Sequence, residues 1–328
     1  MTIHVGLIGG GNISETHARA AGGISGVKIA AVYGTNREKV ARLCAEYGAT
    51  PYSDFERFLA HRPMNFVAIG SPSGLHAEQG IAAARRGLHV LAEKPMDIST
   101  AGADALIAAA AEARVKLGVF FQDRFKTDLI KVKESVDAGI LGKLILADAR
   151  VKWFRPASYY GDSRWRGTLR LDGGGALINQ AIHTVDLLLW LCGEVSAVQA
   201  VRKTAIHKIE AEDTLAATLE FKNGAIGTLQ AATSDRETLA HSSPTPHPCG
   251  LAALALTLKH NKSQSALALA VTDTLSPECR FSSIVSCCRR YGIEMAPPKA
   301  FFIPIQEEAV GSSTVPRLLS RRFSPNGR

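Results

Sequence analysis

Ile3-His4-Val5-Gly6-Leu7-Ile8-Gly9-Gly10-Gly11-Asn12-Ile13-Ser14 reads as an apolar strand, a glycine turn and the opening of a helix. Gly9-x-Gly11-x-x-Ser14 is one residue short of the G-x-G-x-x-G/A pattern that cradles a dinucleotide. Gly9 permits the tight turn. Gly11 lets the backbone around Asn12 and Ile13 bring N–H groups close to a pyrophosphate at the helix N-terminus, and Ser14 is small enough for close helix–strand contact. A plain strand-to-helix turn also carries glycines. The weight of this one comes from its place at the head of a strand–helix series.

That series runs to about residue 120. Apolar runs at 4–9, 27–33, 66–70, 89–92 and 116–120 predict strands, and 14–21, 37–47, 53–60, 76–86 and 100–113 predict helices between them. Such alternation means an α/β unit, a doubly wound parallel sheet covered on both faces. After the second strand, Gly34-Thr35-Asn36-Arg37 offers no carboxylate for a free ribose 2′-hydroxyl. Thr35, Asn36 and Arg37 leave room for a 2′-phosphate, which favours NADP over NAD. Arg37 also reads as the first exposed residue of the next helix. Ser71-Pro72-Ser73 and His76 end a neighbouring strand and border the same crevice. The strand at 89–92 runs into Glu93-Lys94-Pro95, at the carboxyl end where open α/β sheets place their ligands. A lysine there can polarise a carbonyl oxygen or pass a proton, and the following proline restricts Lys94 to extended backbone. The plainer reading is an exposed lysine before a turn proline.

From residue 122 the pattern changes. A helix near 127–138 precedes strands at 144–154, 196–206, 213–221 and 225–233, which predicts an α+β unit with an open, mostly antiparallel sheet. Asn223-Gly224 joins the last two strands as a hairpin turn, with positive φ expected at both positions. Between the first two strands, Gly173-Gly174-Gly175 lets the chain turn sharply into an apolar helix over 176–192. A 3.6-residue repeat puts Asn179, His183 and Asp186 on one face of that helix. Burying an amide, an imidazole and a carboxylate together is costly unless each finds a partner, so the row suits a pocket wall better than a sealed core. One buried histidine is usually structural; an aligned trio seldom is.

Size and composition set the bounds. At 328 residues, 46% hydrophobic and 21% charged, the chain reads as a soluble protein of two domains. Its N-terminus reads as a strand without a signal peptide, and no run approaches the ~18 apolar residues of a membrane span. Six cysteines without paired spacing suggest a reducing compartment, hence the cytoplasm, and no metal site is expected. The net charge is +8, but Arg236–Arg328 alone holds 11 Lys/Arg against 6 Asp/Glu, or +5. With the excess in the tail and no basic stripe interleaved with aromatics, neither nucleic acid nor a membrane is an expected partner. The tail also carries 9 of the 14 prolines, 4 of the 6 cysteines and only 4 of the 29 glycines. Residues 252–258 and 266–271 suit short helices. No strand pattern continues the sheet, which would leave an unpaired edge.

Taken together, Gly9–Ser14, Glu93-Lys94-Pro95 and Gly173-Gly174-Gly175-x3-Asn179-x3-His183-x2-Asp186 closely resemble the Gfo/Idh/MocA oxidoreductase family, over about residues 3–234. The resemblance implies a Rossmann domain binding NAD or NADP at 1–121, a substrate and oligomerisation domain at 122–234, shortened relative to the family, and an atypical tail at 235–328. It implies oxidation or reduction of a hydroxyl or carbonyl on a sugar, cyclitol or sugar derivative. Lys94 then matches the lysine that positions substrate beside the nicotinamide, His183 the acid/base histidine and Asp186 the acidic residue after it. Asn179 takes a place where several relatives carry aspartate. An amide can orient a substrate but cannot take a proton, which leaves proton transfer to His183 and Lys94. Arg124 and the Tyr159-Tyr160…Trp165-Arg166-Gly167 segment match positions flanking the substrate pocket. Tyr160 is expected to bind substrate; Arg166 suits an anionic substituent or, equally, a place on the surface. The open sheet often mediates oligomerisation in such proteins, so the resemblance allows a homo-oligomer, which the tail puts in doubt. The composition break at Asp235 suggests a shifted reading frame or a foreign C-terminus. Two alternatives to a dehydrogenase follow: a non-catalytic NAD(P)-binding regulator, and an inactive product with an aberrant tail.

Overall fold

Consecutive buried residues of the first strand fall in opposite cores. Val5 and Leu7 join Ala18, Ile29, Val32, Leu43 and Ala68 on one side, while Ile8 joins Ala31, Phe58, Val67, Ile69 and Val90 on the other. A strand covered on both faces needs a continuous apolar run, which is what these strands have. The protein is described by a computed structural model covering residues 2–234, 250–260 and 263–270. It divides into two compact units. The first takes in the chain through Phe121 together with Trp165–Gly173, and the second takes in Gln122–Arg164 and the described residues from Gly174 onward.

The first unit alternates β1 (Ile3–Ile8), α1 (Asn12–Gly22), β2 (Val27–Tyr33), α2 (Arg37–Tyr47), β3 (Thr50–Tyr52), α3 (Phe55–Leu59), β4 (Phe66–Ile69), α4 (His76–Arg85), β5 (His89–Ala92), α5 (Thr100–Glu112) and β6 (Leu117–Val119). All strand pairs are parallel, in the order β3-β2-β1-β4-β5-β6. The winding reverses between β1 and β4, the place where such sheets open a crevice for ligands. β3 escapes the sequence reading because Thr50-Pro51-Tyr52 is short and carries a proline that only an edge strand tolerates.

The second unit contains α6 (Thr127–Asp137), β7 (Lys143–Trp153), α7 (Ala157–Gly161), a π-helical turn (Ala176–Gln180), α8 (Ile182–Cys192), β8 (Val195–Lys203), β9 (Thr214–Phe221), β10 (Ile226–Ala232), β11 (Gly250–His260) and β12 (Ser263–Ala270). The sheet order is β12-β11-β7-β10-β9-β8, antiparallel except for β7 with β10. Period-two burial puts Ala147, Ala149, Val151, Leu215, Ala217, Leu219, Leu229 and Ala231 on one face. There they meet Leu187, Leu188 and Leu191 of α8 and Leu129 and Val132 of α6.

Three expectations change. Residues 252–258 and 266–270 are strands, not short helices; residue 271 lies outside the described residues. β11 pairs with β7 from Gly250 opposite Trp153 to Lys259 opposite Lys143, and β12 folds back on it. Alanine and leucine favour helix locally, but an open strand edge and a core awaiting Leu254 and Leu256 override that weak preference. The helix expected over 176–192 is broken, because the Ala181 N–H reaches back five residues to the Ala176 carbonyl at 3.0 Å before α8 begins. At the hairpin, only Gly224 has positive φ, +83°. Its N–H donates to Phe221 O at 2.9 Å, so Lys222 and Asn223 are the central turn residues and the glycine follows as a left-handed step. Among the described residues no helix is long and apolar enough to cross a membrane.

Candidate active site

The nucleotide turn uses its glycines differently. Gly9 has φ +117°, and a Cβ there would lie 2.8 Å from the Gly70 carbonyl oxygen and 2.9 Å from Ser14 Oγ. At Gly11 a Cβ would meet nothing within 4 Å, so the missing side chain opens space in front of α1 rather than relieving a protein clash. No side chain caps α1. The N–H groups of its first turn, at Asn12 and Ile13, therefore lack intrahelical acceptors. Ser14 Oγ is buried without a hydrogen-bond partner among the described residues. An orphaned hydroxyl, open donors and cleared space together fit a phosphate.

Around this turn the other expected contacts divide. Thr35, Asn36 and Arg37 are exposed after β2, with Asn36 Oδ1 accepting from Lys39 N at 3.0 Å as the cap of α2. Ser71 Oγ donates to Gln79 Oε1 at 2.6 Å, and Pro72 follows it. His76, expected at the cofactor, is 1% exposed. Its Nδ1 lies 2.8 Å from Pro95 O and its Nε2 2.9 Å from Ser71 O, so it serves as a strut between the segments after β4 and β5. Lys94 is half-buried at the end of β5, followed by a cis bond to Pro95. Glu93 is held by Lys94's own N–H at 3.1 Å and by His17 Nε2 at 3.0 Å. Burial alone would raise the Glu93 pKa, but His17 and Lys94 bring it below the ordinary value. His17 carries no sequence signal beyond lying one turn after Ser14, and the sequence reading misses it.

Arg166 also belongs to this first unit, stacked 5.4 Å from the Trp165 ring. Its segment packs where Gly74 N donates to Leu171 O at 2.8 Å; a Cβ on Gly74 would sit 2.4 Å from Arg170 O. The remaining expected substrate residues lie in the second unit.

There, Gly175 begins the turn into Asn179. The Ala176 N–H donates to Glu212 O at 2.9 Å, and the buried Glu212 carboxylate accepts from Leu177 N at 3.0 Å. Asn179 is held by neighbours the sequence does not announce. Arg155 donates through Nε and Nη2 to Gln180 Oε1 at 3.2 and 2.6 Å. A guanidinium only donates, so Gln180 must present its nitrogen onward, to Tyr159 Oη at 2.8 Å and Asn179 Oδ1 at 2.5 Å. The break before α8 separates Asn179 from the helix that carries His183 and Asp186. Asp186 pairs side by side with Arg124. Burial raises the Asp186 pKa, and Arg124 and His183 only partly offset it. Tyr160, expected to bind substrate, is 8% exposed, with its hydroxyl 2.9 Å from Thr233 Oγ1 and its ring against His207. Its neighbour Tyr159 is the tyrosine that reaches Asn179.

Residues 3–121 match the oxidoreductase family with an NAD-binding Rossmann fold, and 129–241 match the GFO/IDH/MocA C-terminal domain. The WlbA dehydrogenase of Bordetella pertussis, solved with NADH and UDP-GlcNAcA, is 31% identical with a TM-score of 0.75, covering 89% of this chain and 84% of that one. Levoglucosan dehydrogenase of Pseudarthrobacter phenanthrenivorans is 26% identical over 263 residues, 70% of this chain and 67% of that protein. The rhizopine catabolism protein MocA of Rhizobium meliloti is 31% identical over 193 residues, so the match spans 58% of this chain and 57% of that protein. With both domains matched in order and the fold shared across most of its length, the chain belongs to the Gfo/Idh/MocA family of NAD-binding oxidoreductases.

Proposed function

We propose that the protein is an NAD(P)-dependent dehydrogenase or reductase acting on a hydroxyl or carbonyl of a sugar, cyclitol or sugar derivative. The observation that carries this reading is the joint retention of Lys94, at the carboxyl end of β5, and His183, in the first turn of α8. A nucleotide sensor has little need of both. The dinucleotide, held by the first turn of α1 and the residues after β2, would supply the hydride acceptor or donor. In the oxidative direction His183 takes the hydroxyl proton as a general base. Lys94 offsets the negative charge that grows on that oxygen. Asn179, its carbonyl committed to Gln180, orients the substrate without taking a proton. Arg124, steadied by Asp186, receives a polar or anionic substituent. We further propose a preference for NADP, supported by the lack of a carboxylate after β2 and by Arg37 at the start of α2.

The test is a titration with NADPH and NADH, followed by a panel of sugars and polyols. Tighter NADPH binding that Arg37→Glu abolishes is expected. Lys94→Ala and His183→Ala should each lower kcat by roughly 10²–10⁴-fold while leaving cofactor affinity unchanged. Undiminished turnover in both variants refutes the assignment, and cofactor binding without turnover on any panel member favours the sensor.

A further inference from the structure

The direction in which the Asn179 amide faces is set from the end of β7. Arg155, just beyond that strand, is anchored along its backbone. Its N–H donates to Thr233 O at 2.9 Å, and its carbonyl oxygen lies 2.8 Å from His207 Nε2. Its guanidinium carbon stands 5.4 Å from the Trp153 ring centre and 4.8 Å from that of Tyr159. From there Nε and Nη2 both donate to Gln180 Oε1. Gln180 is 7% exposed, so an amide turned the other way would bury an N–H against a cation that can only donate. One orientation remains, and it puts Nε2 2.5 Å from Asn179 Oδ1 and 2.8 Å from Tyr159 Oη. The Tyr159 hydroxyl stands 3.5 Å from the same Oδ1. Oδ1 is thus turned to this network. Any further group that the Asn179 amide meets, in the protein or on a substrate, is met through Nδ2 as a donor.

We propose that Arg155 is a positioning residue for the reaction: through Gln180 it fixes the Asn179 amide so that Asn179 donates to substrate and selects a group that accepts. Such a group is a carbonyl, carboxylate or hydroxyl oxygen. The proposal rests on the reading of Asn179 as a residue that orients substrate. Arg155 acts only through Gln180 and Asn179, and all three lie in the second unit.

The experiment uses the full chain and centres on Gln180→Glu. The new carboxylate accepts from Arg155 at least as well as the amide did, yet it cannot donate onward. Asn179 must then turn Nδ2 toward it and Oδ1 away. A bond that only braced the fold would be kept or strengthened by this change, whereas a relay of polarity is reversed. The first readout needs no substrate: proton–nitrogen spectra of protein carrying isotope-labelled asparagine, with the Asn179 side-chain signals identified by their loss in Asn179→Asp. Gln180→Glu should move an Asn179 N–H signal downfield, as donation to a carboxylate does. The second readout is kcat/KM on any polyol the wild type oxidises. It should fall about tenfold, the worth of one misdirected hydrogen bond, with nucleotide affinity and melting temperature unchanged. Arg155→Met should lower kcat/KM by a similar factor, and Arg155→Lys, whose ammonium still donates to Oε1, should recover most of it. Asn179 signals that do not move downfield in Gln180→Glu, or wild-type kcat/KM in that variant, overturn the proposal, as does equal kcat/KM in the Met and Lys variants. If Gln180→Glu does not fold, Arg155→Met must shift the Asn179 signals and Arg155→Lys must return them, and unmoved signals there overturn it equally. A panel with no turnover defeats the dehydrogenase reading, while the Asn179 signals still decide this proposal.

Discussion

Arg124 and Asp186 are each other's partners: Nε lies 2.7 Å from Oδ2 and Nη2 2.6 Å from Oδ1, with the guanidinium carbon 5.6 Å from the Trp190 ring centre. The sequence expects both to reach the substrate, yet the carboxylate is 9% exposed and committed to orienting the arginine. Arg124→Ala leaves that carboxylate buried without its donor, at a cost of about 1–3 kcal/mol. The arginine side chain is 41% exposed, which keeps the figure toward the lower end. Asp186 already titrates above its ordinary value through burial, and losing Arg124 raises it further. An acid whose folded pKa is raised favours the fold below that pKa and loses the advantage as pH rises through it. The melting temperature of Arg124→Ala should therefore fall more steeply than wild type's between mild acid and neutrality; parallel curves would contradict the coupling.

Leu254 and Leu256 of β11 are 0% and 1% exposed in the same core as Leu187 and Leu188 of α8. Leu254→Ala should cost about 2–5 kcal/mol, as for other buried leucines. Denaturant unfolding measures it. A midpoint identical to wild type would mean that β11 contributes nothing to the second unit.

Gly175 and Gly161 make a matched pair. A Cβ on Gly175 would fall 1.7 Å from the Glu212 carbonyl oxygen, whereas one on Gly161 meets nothing within 4 Å. Gly175→Ala should destabilise by ~3 kcal/mol or more, since backbone must move. Gly161→Ala, in α7, should be neutral or stabilise by up to ~1 kcal/mol. Equal melting temperatures for the two variants would show that the glycine turn tolerates a side chain.

Asp213 is 0% exposed and accepts from the N–H groups of Ala205, Ile206 and His207 at 2.7, 2.9 and 2.9 Å and from Thr214 Oγ1 at 3.0 Å. Burial pushes its pKa up, but these donors outweigh burial and hold it below the ordinary value. The stabilisation is therefore complete above the unfolded pKa of about 3.9 and is lost as pH falls through the lower folded value. Asp213→Asn should remove about 1.5–3 kcal/mol at neutral pH and flatten the acid limb of the stability profile. Chemical denaturation across the acid range checks both, and an unchanged acid limb would rule Asp213 out as its source.

Local pattern alone determined the strand–helix alternation of the first unit, the nucleotide turn, the Glu-Lys-Pro turn and the glycine entry to Asn179. Each depends on period, on positive φ or on a missing Cβ within a few residues. Tertiary structure decided the rest. Residues 250–260 and 263–270 are paired strands because β7 offers a free edge, against the local preference of an Ala/Leu run. Tyr160 faces the core and Tyr159 the amide network because α7 turns one inward. His17 finds Glu93, Arg155 finds Gln180 and Arg124 finds Asp186 across 76, 25 and 62 positions of sequence. Which donor meets which acceptor over such spans is fixed by how helices seat on sheets, and a one-dimensional spacing carries no record of that.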